Sequence, residues 1–269
     1  MVIVNIIIIS CKLINMTNIN FFTDFSEDNS FDNRLLQSST IQFENCYLQN
    51  DLALQYLKKK QYNWNNILMG MAGATSLGFA GMPVIALFGA LGTALSIELS
   101  IPIDQVVKTM EMLLDEYGEA GITITPRIET KEGLIDLIIK TADGRYFALM
   151  LRSNGESRVR WREDRQQFFV IRKGGKPKWS GINLLGDKLN SMIVSLKEEE
   201  NHLVGDSKKQ RKKGLIRAIV LVGKTTIDPN NDPQHLVTVG HATALRICGA
   251  TTYFLVNQKD LVKFLKKPD

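Results

Sequence analysis

The sequence predicts an α/β protein, a mixed sheet flanked by helices and preceded by an apolar helical membrane segment. Three observations carry that prediction. Residues 133–152 (GLIDLIIKTADGRYFALMLR) hold two apolar runs around an Asp143-Gly144 turn, with one acid, Asp136, inside the first run. Apolar stripes at helical spacing stand on either side of that pair, at 102–120 and 182–199. No charged residue occurs between Lys60 and Glu98. Strands that are apolar throughout fit a sheet covered on both faces, since neither face then meets water.

Composition sets the class. The chain has 269 residues, 44% apolar and 23% charged, which excludes a mainly disordered protein. The net charge of +5 is mild, and the excess of Lys and Arg falls after residue 140. A basic C-terminal half fits a nucleic-acid or anionic-lipid partner, and equally a solvated surface. Cys11, Cys46 and Cys248 are odd in number and widely spaced, which argues against a disulfide framework or zinc knuckle and for a reducing compartment.

The chain divides into a polar, loosely ordered arm (1–60), an apolar segment (61–98) and an α/β body (99–269). At the head, residues 2–9 (VIVNIIII) are too short to span a bilayer. No basic stretch precedes them, so a secretory signal is not expected, and Met16 is an alternative start. Residues 67–97 form an uncharged run of about 31 residues, beyond the roughly 20 that cross a hydrocarbon core. Small residues recur at helical spacing (Ala74 and Gly78, Ala86 and Ala90), as where membrane helices approach closely, and they fit a homo-oligomer through this segment. Gly81-Met82-Pro83 breaks or kinks the helix. One tilted, kinked span is the first reading; a re-entrant hairpin turning at Gly81-Pro83 and a buried hairpin are the alternatives. Lys58, Lys59 and Lys60 place the N-terminal flank in the cytoplasm. The acidic flank that begins at Glu98 would export the body, and a hairpin keeps both flanks on one side.

Each element of the body has its own signal. Pro102 and Asp104 suit the first turn of a helix over 102–120, striped by Val106, Val107, Met110, Leu113 and Leu114. Strands follow near 122–128, 134–140 and 145–152, then a basic hairpin over 157–172. Leu184, Leu185, Leu189, Met192, Ile193 and Leu196 stripe the helix 182–199. SKKQRKK (207–213) reads as an exposed loop and 215–222 as a buried strand. Residues 235–248 are expected to be helical, 252–256 a last strand and 258–266 a closing helix.

That order, with Glu119 near the end of the opening helix, LIDLIIKT, RYFALMLR and the run from Trp161 and Trp179 into INLLGDKL, resembles the restriction-endonuclease-like PD-(D/E)XK fold. Within that group it is most similar to the nuclease-related domain, over about residues 103–265. The resemblance implies a bacterial-type nuclease scaffold. It places Asp136 in the metal-binding acid position, and Met150, Leu151 and Arg152 where an acid, a spacer and a lysine belong. Hard Mg²⁺ takes oxygen ligands, and a thioether is a poor substitute. Arg152 keeps a positive charge but cannot act as a base. An active site would therefore need Mg²⁺ on Asp136 with migrated partners: Glu119, Asp187 or Lys188. The other reading of Asp136 is an acid at a strand end satisfied by Arg152 or a backbone amide.

Arg158, Arg160 and Arg162 alternate on one strand face, and Trp161, Arg165, Arg172 and Lys173 crowd the same region. Arginine rows neutralise phosphates and aromatics stack on bases, so these seven residues are the candidate nucleic-acid surface. The alternative is an exposed hairpin whose aromatics pack on the core. AIVLVGKT (218–225) formally fits a relaxed phosphate-loop pattern, but its intervening residues are a strand and Pro229 and Pro233 discourage the required helix. The expectation is a membrane-associated protein, its body cytoplasmic, that binds nucleic acid without efficient cleavage. The rivals are an atypical Mg²⁺-dependent endonuclease and a membrane scaffold or interaction protein with no nucleic-acid role.

Overall fold

The computed structural model describes residues 42–43, 46–79, 103–179, 182–199, 201–205, 215–248 and 251–267. The apolar head, residues 80–98 of the apolar segment and the SKKQRKK loop lie outside the described residues.

Short strands β1 (Gln42–Phe43) and β2 (Cys46–Tyr47) lead into a long helix, α1 (Asn50–Phe79). Helix α2 (103–121) follows, then β3 (Ile122–Thr130), β4 (Gly133–Thr141) and β5 (Tyr146–Arg152). A hairpin of β6 (Ser157–Arg162) and β7 (Gln167–Arg172) comes next, with β8 (Lys178–Trp179) beside it. Helix α3 (Ile182–Glu199) then leads to β9 (Ile216–Leu221) and β10 (Thr225–Ile227). The chain closes with β11 (Leu236–Val239), β12 (Ala242–Cys248), β13 (Thr252–Asn257) and α4 (Leu261–Leu265).

The main sheet has seven strands in the order β11-β12-β13-β9-β5-β4-β3. Strands β3, β4 and β5 form an antiparallel meander, β9 runs parallel to β5, and β13 runs parallel to β9. A parallel neighbour needs a crossover, and α3 lies on that connection. The alternation in β5 explains the layering. Phe147, Leu149 and Leu151 enter one core with α1, α2 and α4, whereas Tyr146, Ala148 and Met150 enter another beneath α3. A third cluster joins β9, β12 and β13 to the small sheet β10-β6-β7-β8 through Ile219, Leu255, Val159 and Phe168. Both faces of the large sheet are thus covered, as its apolar strands require.

Helix α1 begins earlier than a loosely ordered arm over 1–60 allows. Residues 50–60 are helical, and Ala53, Leu54 and Leu57 are buried in the core shared with α2. The Asn50 side chain covers the exposed edge of β3: Oδ1 accepts from Ile124 N–H at 2.7 Å, and Nδ2 donates to the Ile122 carbonyl at 3.0 Å. A side-chain amide thereby pairs an edge that would otherwise recruit a foreign strand. Two polar contacts fasten α1 to α2, Lys58 to Glu111 at 2.7 Å and Gln61 to Asp104 at 3.0 Å. Arg145 caps α4, donating to the Leu265 carbonyl at 2.6 Å and the Lys266 carbonyl at 3.3 Å, groups that a helix end leaves unpaired.

The helix expected over 235–248 is absent among the described residues; β11 and β12 take its place. Ala242, Ala244, Leu245 and Ile247 are buried while Thr243 and Arg246 are exposed, a strand pattern that pairing with β13 enforces. Val239 pairs with Ala242, so Gly240 and His241 make a two-residue turn. Gly240 has φ +59°, and a Cβ there would stand 2.5 Å from the Lys263 and Lys266 carbonyl oxygens. The phosphate-loop pattern at 218–225 is a strand, a turn and a strand, as its β-branched run implies. Gly240→Ala combines backbone strain with a steric clash. It is expected to lower stability by about 2–3 kcal/mol in denaturant melts.

Candidate functional site

Asp136 lies within β4, one residue beyond the paired Leu137 and Leu149, which puts it across from Met150 on β5. Across its other edge the β3–β4 ladder is interrupted at one point: Pro126 pairs with Leu137 and Ile128 with Ile135, leaving Arg127 opposite Asp136. Arg127 has φ +54°, a left-handed conformation that costs a non-glycine residue about 1–2 kcal/mol. The face assignment of both strands shifts here. Ile124 and Leu137 face the α2 side, while Ile128 and Ile135 pack beneath α3.

The Asp136 carboxylate is 6% exposed and closed by its neighbours. Its Oδ2 accepts from Leu151 N–H at 2.7 Å and from Arg152 Nη1 at 3.2 Å. Burial pushes the carboxyl above the usual carboxylate range, and Arg152, the Leu151 amide and Arg127 partly offset it. Arg152 also donates to its neighbouring Leu151 carbonyl at 2.6 Å. Arg127 has no such partner: Nε and Nη1 are buried without a hydrogen bond, and burial lowers its pKa.

The other expected catalytic groups divide. Lys188 on α3 lies against Gly133, where a Cβ would stand 3.0 Å from its Cε, but Gly133 is three strand residues from Asp136, about 10 Å at roughly 3.4 Å each. Asp187 lies on the other side, where its charge adds to burial in pushing the Tyr253 hydroxyl up to about 12. Glu119 is exposed at the end of α2, beside Ile122, which pairs with Thr141. It is therefore at the far end of the strand pair, about 17 Å from Asp136 for five residues at roughly 3.4 Å each. These donors do not fit Mg²⁺. Asp136 is already hydrogen-bonded, Met150 is a buried thioether, and among the described residues no group of three His, Cys, Asp or Glu side chains could hold a metal.

The basic hairpin is sorted by its register. Arg158, Arg160 and Arg162 pair with Ile171, Phe169 and Gln167 and share the outer face. Arg158 and Arg162 are exposed, but Arg160 is held from Nε and Nη2 at 2.7 and 2.6 Å by Asp228, itself 1% exposed. Asn231 completes that anchor by accepting from Trp161 N–H at 2.7 Å. Arg162 makes a forked pair with Asp164, and both it and Arg165 lie 5.9 Å from the Phe169 ring centre. Trp161 departs from the role expected of it. It faces inward, edge-on to Phe168 at 4.9 Å, and serves packing rather than base stacking. Arg172 is on that same strand face, and Lys173 is in the following turn, both exposed. The open outer face is thus Arg158, Arg162 and Arg165 around Phe169.

Sequence reasoning missed Arg127, Asp228 and Asn231. Arg127 had one signal, a lone charge inside an alternating strand directly after proline. The other two sit in a turn, where Asp and Asn are ordinary.

Asp136→Ala leaves Leu151 N–H and Arg152 without their acceptor, and is expected to destabilise by about 3 kcal/mol in urea melts. A carboxyl with a raised folded pKa favours the native state below the unfolded value near ~4, and that advantage is lost as pH rises through the folded value. Wild-type stability relative to Asp136→Asn should therefore fall as pH rises through that window, measured by melts from pH 3 to 8. A scan against protein families, a search of curated proteins and a search of solved structures each find no match for this chain.

Proposed function

We propose that the body is a restriction-endonuclease-like fold with an inactivated metal site, and that it binds nucleic acid without cleaving it. The observation that carries this reading is the closure of Asp136 by Leu151 N–H and Arg152, with Met150 across from it. The order α2, three antiparallel strands, α3 and a strand parallel to β5 supports the fold assignment. The exposed Arg158, Arg162 and Arg165 around Phe169 supply phosphate contacts and an aromatic platform. The Mg²⁺-dependent alternative has less support, because Glu119 stands at the far end of the strand pair.

We further propose that the apolar segment attaches the body to a membrane as a hairpin with both ends on one side. Among the described residues no helix is long and apolar enough to cross a bilayer. The support comes from the flanks. Lys58 and Gln61, before the segment, bind Glu111 and Asp104 after it, and Leu54 and Leu57 share a core with Val106 and Met110. A chain that leaves and returns to one packed body re-emerges on the side it left. A single span would tear these contacts apart, and the lysine flank then fixes the body on the cytoplasmic side.

Two measurements test these readings. Gel shifts of full-length protein with single-stranded and duplex DNA should be salt-sensitive, with no cleavage in Mg²⁺ or Mn²⁺. Arg158→Gln and Arg162→Gln should each reduce the slope of log affinity against log salt by about 1. Metal-dependent cleavage abolished by Asp136→Ala would establish the nuclease instead; no shift and no cleavage would favour the scaffold. In sealed vesicles, with native cysteines replaced by serine, Lys59→Cys and Gln105→Cys should label from the same side. Labelling from opposite sides would refute the hairpin.

A further inference from the structure

The small sheet β10-β6-β7-β8 turns one face into the protein and the other outward. Val159 and Phe168 enter the core with Ile219 and Leu255, and Val170, paired with Val159, is buried too. The opposite face carries three cross-strand pairs: Arg158 with Ile171, Arg160 with Phe169, and Arg162 with Gln167. Its charge is not spread evenly. Arg160, in the middle, is held from Nε and Nη2 by Asp228, so its charge is already matched. The middle of the face is therefore Phe169 and Ile171, both only half-buried.

Free cations gather at the two ends of this apolar centre. Arg158 and Arg162 are four residues apart, about 14 Å at roughly 3.4 Å each. At one end Arg162 and Arg165 lie against the Phe169 ring, each 5.9 Å from its centre, and Asp164 offsets one of the two charges. At the other end stand Arg158 and the bend from β7 into β8, with Arg172, Lys173, Lys176 and Lys178 all exposed. Glu156, just before β6, offsets one of these.

A duplex makes poor use of this arrangement. Its bases are stacked and paired inside, so it would engage the cations and leave the apolar centre idle. The major groove, about 12 Å wide, admits a two-stranded ribbon. Here the ribbon is framed on both sides: at one level the strands read Ile227, Val159, Val170 and Lys178. Four strands at roughly 4.8 Å spacing span about 14 Å between the outer backbones, before side chains are added. A single strand has free base faces. These stack on aromatic rings and guanidinium planes whatever the sequence, while its phosphates reach flanking cations. Resting on the nucleic-acid reading of the body, we infer that the form bound at this face is single-stranded. Its bases stack on Phe169 and the arginines beside that ring, and its phosphates lie on the basic bend between β7 and β8.

The test uses full-length protein in detergent with EDTA and a fluorescent oligothymidylate of about 20 nucleotides, longer than the roughly 4–16 that one single-strand-binding fold covers. The same oligomer annealed to oligodeoxyadenylate is the duplex. At equal salt the single strand should bind about tenfold or more tightly. Phe169→Ala should weaken the single strand about tenfold, the scale of one stacked base, and the duplex by less than about twofold. Lys176→Gln should weaken both forms, because a phosphate contact does not tell them apart. Should Phe169→Ala not fold, Phe169→Leu keeps most of the apolar volume, removes the ring and carries the comparison. Oligouridylate in a parallel titration names the sugar: tighter binding than oligothymidylate assigns RNA, weaker or equal binding assigns DNA, and either supports a single strand when it exceeds the duplex. Duplex binding as tight as the single strand, or unchanged single-strand affinity in the folded variants, would overturn single-strand recognition and leave nucleic-acid binding standing. Absence of binding to either form would sink nucleic-acid binding itself.

Discussion

Strand β5 has no face in contact with water, and the rest of the body follows from that. Every residue from Tyr146 to Leu151 is buried, alternating between a core on the α2 side and one beneath α3. Burying a large aliphatic or aromatic side chain gains about 1.5–3 kcal/mol, so a strand apolar on both faces demands a cover on each. Helices α1, α2 and α4 supply one cover. Helix α3 and the small sheet divide the other, α3 over β3, β4 and β5, the small sheet over β9, β12 and β13. The parallel pairing of β9 with β5 then sets the topology, because its crossover must carry α3 onto the sheet face.

Polar groups inside such a frame are held at few points, and each point fixes geometry more than it adds stability. Asp228 and Asn231 register the basic hairpin by taking Arg160 and the Trp161 amide. Asp136 fixes the end of β5 in the same way through Leu151 N–H and Arg152. Buried ion pairs of this type contribute little net stability against an apolar replacement, yet removing one partner is costly. The chemical consequence is direct. The Asp136 Oδ2 is already shared by a guanidinium and a backbone amide, and the thioether across from it offers no second oxygen to a divalent metal. What stays exposed and cationic is the outer face of β6, Arg158 and Arg162.

The weld between α1 and α2 connects the body to the apolar segment. Residues on either side of the uncharged run share one core and two polar contacts, so its ends are fixed relative to each other. Charge counting along the chain treats the two flanks as independent; the core they share removes that independence.

Local signals were enough for much of this architecture. The stripe of α3, the apolar runs of β3, β4, β5 and β9, and the Asp143-Gly144 turn are set by periodicity and turn chemistry, which depend on near neighbours. The sequence by itself also put Met150 and Arg152 on one strand face, because side chains alternate along a strand. Residues 236–248 were decided elsewhere: a stretch with mixed local preference became two strands because β13 offered an edge and a buried face. Trp161 turned inward because the β6–β7 register places it with Phe168, not with its flanking arginines. Arg127 stands opposite Asp136 only because of the β3–β4 register, which skips one pair there. Spacing along a chain fixes which face a residue shares; which distant residue shares it is settled by tertiary packing.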